Sequence, residues 1–142
     1  MKRFLLPLLS LALLAILNVS GAENPELAKL QGKWECKKEE NGQQITLTME
    51  IKADKLTFRM EGGFSFIATA DLKLDNLGPF KAFTSKNIKV GATEDALQDV
   101  SEEFAHVYQV HEGKLYVTSN FDQQRERAPA LDIYRKVTSS SK

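Results

Sequence analysis

The sequence predicts an all-β protein: a single antiparallel up-and-down eight-stranded barrel with a short N-terminal helical turn. Two observations carry this. Apolar and polar residues alternate with a period of two through consecutive segments, most cleanly over residues 44–52, where Ile45, Leu47, Met49 and Ile51 oppose Gln44, Thr46, Thr48, Glu50 and Lys52. That is the signature of a half-buried antiparallel strand. Tight-turn residues punctuate these segments, and no long stretch repeats at the helical period. With so little helix to cover its apolar face, such a meander must fold onto itself, and closure into a barrel both buries that face and removes the sheet edges.

Taken in order, residues 26–30 suit one helical turn, with Asn24 as N-cap, Pro25 at the first helical position and Gly32 beyond the end. The first strand starts at Gly32 and sets Trp34 and Cys36 on one face. Asn41-Gly42 is a strong hairpin signal. The second strand covers residues 44–52, Ala53-Asp54 turns the chain, and the third carries Leu56, Phe58 and Met60 inward. Gly62-Gly63 turns it again, and Phe64, Phe66, Ala68, Ala70, Leu72 and Leu74 make a long inward row. Residues 75–79 read as a loop and residues 80–90 as a fifth strand, whose phase the pattern leaves open. Residues 93–102 are acidic and read as a surface connection with room for a helical turn. Strands at 104–110 and 114–120 flank the turn at 111–113. A polar loop at 122–127 leads through Pro129 to a last strand at 130–137, and residues 138–142 are expected to be a disordered tail.

The first 22 residues have a basic start at Lys2 and Arg3, an apolar run from Phe4 to Leu17, and small residues at Ser20, Gly21 and Ala22. This is the layout of a secretory signal peptide, with cleavage expected after Ala22. The apolar run is short and broken by Pro7 and Ser10, whereas a membrane-spanning helix needs about 20 apolar residues. Residues 23–142 then form one barrel domain of 120 residues, secreted or periplasmic, with no integral membrane segment after cleavage. Without Lys2 and Arg3, 17 basic side chains face 19 acidic ones, a net charge near −2. That balance argues against nucleic acid as a partner, because phosphate binding needs a basic face. Cys36 is the only cysteine, so the domain has no internal disulfide, and Cys36 reads as a small buried hydrophobe.

The stretch LQGKW, with Gly32 two residues before Trp34, resembles the N-terminal signature of the calycin superfamily: lipocalins and small bacterial lipocalin-like domains. The likeness extends to the short helical lead-in, Asn41-Gly42, the segment Arg127-Ala128-Pro129, and the closing strand LDIYRKV with Arg135. The resemblance implies that Trp34 packs across the closed end of the barrel with Arg135 laid over its ring, a cation–π contact worth about 0.5–2 kcal/mol. Gly32, Trp34 and Arg135 are therefore the expected structural signature. Nitrobindin-like barrels follow their Gly-x-Trp with further glycines, whereas residues 35–38 here are Glu, Cys, Lys and Lys, so haem is not indicated. No cofactor is expected.

His106 and His111 are the only histidines, and their five-residue separation does not match a zinc pair. No nucleophile elbow, phosphate-cradling glycine loop or other catalytic motif is present, so the chain is read as a non-enzyme with no metal and no catalytic residues. Eight strands enclose an interior that is either packed solid or wide enough for one small ligand. The inward residues Met49, Phe58, Met60, Phe64, Phe66 and Tyr108 are the candidate ligand-binding surface. The expected function is an exported, non-catalytic lipocalin-like protein that binds a small hydrophobic ligand in or at the mouth of the barrel. The alternative is a rigid scaffold that binds a protein partner, such as an envelope inhibitor, through the loops at 75–79, 93–102 and 122–127.

Overall fold

A computed structural model describes residues 24–120 and 128–138. The expected signal peptide, the 122–127 loop and most of the expected tail lie outside the described residues. The chain begins with helix α1 (Pro25–Leu30) and continues through β1 (Gly32–Glu40), β2 (Gln43–Lys52), β3 (Lys55–Glu61), β4 (Phe66–Leu77), β5 (Phe80–Gly91), β6 (Gln98–Val100), β7 (Phe104–His111), β8 (Lys114–Ser119) and β9 (Ala130–Lys136). Eight strands close into an antiparallel barrel in the order β4-β3-β2-β1-β9-β8-β7-β5, with β5 pairing back onto β4. The three-residue β6 is an addition beside the C-terminal part of β5.

Local chemistry explains the elements. In α1 the Asn24 side-chain oxygen accepts the Glu26 backbone N–H at 3.0 Å. Proline then occupies the first turn, where no backbone donor is missed. Two hairpins turn through residue pairs that both have positive φ, Asn41-Gly42 (53° and 76°) and Glu112-Gly113 (49° and 71°). That backbone twist matches the flanking strands. Gly62 is required for a second reason: at φ 112° a Cβ would run into the Gln44 carbonyl across the hairpin.

The phase of β5 is set by a bulge. Thr69 pairs with Lys89 but Asp71 pairs with Lys86, so one extra residue is accommodated on β5. Asn87 takes the left-handed conformation there (φ 49°), and its side-chain amide donates to Asp71 at 2.7 Å. Phe83 and Ser85 face inward before the bulge, Ile88 and Val90 after it. Two expected boundaries move: residues 75–77 extend β4 rather than forming a loop, and the 93–102 connection contains β6 after a 3₁₀ turn at Glu94–Ala96. Phe64 is not part of the inward row. It lies in the β3–β4 turn and is 65% exposed, because β4 begins only at Phe66.

The two poles differ. At one, α1 and the turns after β2, β4 and β7 gather, and Gln31 clips α1 to the β2–β3 turn through two hydrogen bonds with the Ala53 backbone, at 2.7 and 3.0 Å. Trp34 is 1% exposed and plugs this pole, its indole N–H donating to the Leu30 carbonyl at 2.8 Å. The cation over its ring is Lys136, with Nζ 5.3 Å from the centroid, and not Arg135. The register of β9 decides this: Lys136 stands opposite Trp34, and Arg135 opposite Glu35 on the outer face. Gly32 makes room for the lysine stem, since a Cβ there would lie 3.1 Å from the Lys136 Cε.

Removing this plug should therefore be expensive and removing its cation modest. Trp34→Ala is expected to lower stability by about 3–5 kcal/mol and Lys136→Met by about 0.5–1 kcal/mol. Arg135→Met should stay within about 0.5 kcal/mol of the parent. Urea unfolding of the three variants checks the ranking, and a larger loss at Arg135 than at Lys136 would contradict the register.

Candidate functional site

The pole opposite the plug is hollow. A cavity of about 280 Å³ runs inward from the ends of β4, β5, β7 and β8, where Phe66, Val90, Phe104 and Ser119 line its upper part. Its two sides differ in chemistry. Strands β2 to β4 contribute Met49, Leu56, Phe58, Phe66, Ala68 and Ala70. Phe58 and Phe66 meet edge to face, with centroids 6.4 Å apart and planes at 65°. The two alanines leave space in front of them, which a larger inward residue would fill.

The opposite side, from β5 and β7 to β9, carries Ser85, His106, Ser119, Asp132 and Tyr134 among Phe83, Ile88 and Val117. His106 Nδ1 lies 3.1 Å from Ser119 Oγ, and its ring leans on Phe83 with centroids 5.0 Å apart. Burial pushes the imidazole down to about 4, so it is uncharged at neutral pH. Asp132 accepts a 3.0 Å hydrogen bond from Lys38 Nζ, which joins β9 to β1. Burial, with Asp132 and Cys36 nearby, raises the Tyr134 phenol well above its ordinary range, so it stays protonated. The Cys36 thiol is also pushed up, chiefly by burial.

Of the six residues expected to form a binding surface, Met49, Phe58 and Phe66 line the cavity. Met60 packs against the core beside it. Tyr108 is buried below it against Phe83, centroids 5.8 Å apart, and borders a separate cleft with Glu26 and Lys81 under α1. Phe64 stands outside. His111 is exposed at the end of β7. Sequence reasoning named no residue of the polar side as part of the binding surface. Asp132 and Tyr134 alternate with the apolar Leu131 and Ile133, so hydropathy points the wrong set of residues inward; only the pairing of Val117 with Asp132 and Leu115 with Tyr134 reveals the true phase.

These features define a closed eight-stranded antiparallel barrel, plugged at one pole and hollow at the other. Compared with models of known families, with curated proteins and with solved structures, the chain matches none. Among the described residues, no helix is long and apolar enough to cross a membrane.

Burial of His106 makes stability depend on pH. Its folded-state value lies below the unfolded one, so the unfolded chain binds the proton more readily, and stability is fully present above pH 6.5 and falls toward pH 4. From pH 7.5 to 5 the loss should be about 2 kcal/mol, and His106→Gln should flatten it. Glu26, Glu50 and Asp71, held low mainly by hydrogen bonds from their lysines, act only below that window. Urea midpoints measured across the range test this, and an unchanged slope in the variant would refute it.

Proposed function

We propose that this is an exported, non-catalytic, lipocalin-like carrier or sensor that binds a small, largely apolar molecule in its barrel. The observation that carries the reading is the cavity of about 280 Å³, walled by Met49, Phe58 and Phe66 and reached from the unplugged pole. An interior built only for stability would be packed to the density of an organic crystal. This one instead places Ala68 and Ala70 opposite an open volume near the lower end of the usual range for ligand pockets, about 300–1,000 Å³. The lipocalin-like reading also draws on Gly32 and the buried Trp34 at the closed pole, with Lys136 in the place the resemblance gave to Arg135. The scaffold reading is the weaker one, because two of the segments it would use lie at opposite poles, the turn that remains of 75–79 beside the plug and 93–102 at the mouth, and 75–77 belong to β4.

Native mass spectrometry of protein taken from its own envelope or extracellular fraction tests this reading. A chain beginning at Glu23 and carrying an added small-molecule mass is expected. A full-length chain would refute export, and a co-purifying polypeptide with no small molecule would favour the scaffold. Ala68→Trp should fill the cavity, abolish that added mass and leave thermal unfolding within a few degrees of the parent.

A further inference from the structure

Within this binding reading, we infer that the ligand is an amphiphile of about nine or ten non-hydrogen atoms with an uncharged hydrogen-bonding head, an alcohol rather than a carboxylate or an amine. The size follows from the cavity volume of about 280 Å³ at roughly 30 Å³ per water-sized group.

The head group follows from the polar side. Ser85 and Tyr134 line the cavity at 5% and 2% exposure, and neither side chain has a hydrogen-bond partner among the described residues. No fully enclosed side-chain nitrogen or oxygen among those residues is left unpaired, so these two hydroxyls open onto space. Hydroxyls that open onto a mostly apolar cavity have water as their partner there, and a guest with a hydrogen-bonding head can take the place of that water. Both can donate and accept, as can the His106–Ser119 pair beside them.

Charge among the described residues argues against the alternatives. Among the described residues no cation lines the cavity: His106 is neutral, and Lys38, off the wall, is already engaged by Asp132 at 3.0 Å. A carboxylate head would enter beside Asp132 with no counter-charge among the described residues, which is strongly unfavourable in a poorly solvated site. An ammonium head would have to compete with Lys38 for the same carboxylate. The apolar tail has the opposite side to itself, between Met49, Phe58 and Phe66.

Isothermal titration of the full folded domain with octan-1-ol, octanoate and octylamine at pH 7.5 tests the inference, since all three are linear eight-carbon chains that differ in the head group. Octan-1-ol is expected to bind at least tenfold more tightly than either of the others. Ser85→Ala and Tyr134→Phe should each weaken octan-1-ol about three- to tenfold and change octanoate less than twofold. Thermal unfolding of both variants, and their residual octanoate binding, report whether the barrel is intact. Equal or tighter binding of octanoate or octylamine overturns the head-group assignment while leaving the cavity reading in place. If none of the three binds, the cavity reading falls and this inference with it.

Discussion

The meeting of the first and last strands is the contact on which the barrel depends, because without it the inner face would be wet and two sheet edges would lie open. Yet the ladder between β1 and β9 is short: only Trp34 with Lys136 and Glu35 with Arg135 pair, extended by the Val137 N–H donating to the Lys33 carbonyl at 2.8 Å. Side chains carry the closure further. Trp34 anchors its lower end by burying an indole whose N–H is satisfied by Leu30. Above it Cys36 and Tyr134 are both buried, and the Lys38–Asp132 ion pair spans the seam near the mouth. That pair is part-buried and links residues 94 positions apart, so it is less screened by solvent than the exposed surface pairs.

The same seam shapes the interior. Turning Asp132 and Tyr134 inward places polar atoms on one half of the barrel, while β2 to β4 keep the other half apolar. The cavity's apolar side has aromatic rings in a favourable edge-to-face arrangement. Its polar side contains the His106–Ser119 pair, Asp132 held by Lys38, and two hydroxyls without partners among the described residues. Shape and polarity are thus divided along the strand order.

Much of the architecture was legible because β2 and β3 obey the two-residue period without interruption, and because Asn41-Gly42 and the Gly62 turn leave the chain little choice of conformation. The plug role of Trp34 came from the resemblance that Gly32 and Trp34 carry, and the burial of Trp34 agrees with it. What the pattern left open or misplaced has physical causes. A bulge at Asn87 resets the alternation of β5, and no single residue in the stretch announces it. In β9 the apolar Leu131 and Ile133 are 56% and 43% exposed while Asp132 faces in, so register with β8 overrode hydropathy. The same override explains why Lys136, not Arg135, sits over the indole. Half the cavity wall was hidden for this reason: the polar residues that form it look like solvent-facing ones when read alone.

The plug also fixes where the polypeptide enters and leaves. Gly32 and Lys136 lie side by side at the sealed pole, and α1 folds beneath it, so the described chain begins and ends on the face turned away from the opening. A tag, a fused domain or a surface anchor joined at either terminus would hold the vessel by its base. Such an attachment would lie away from the rim of Phe66, Phe104 and Ser119.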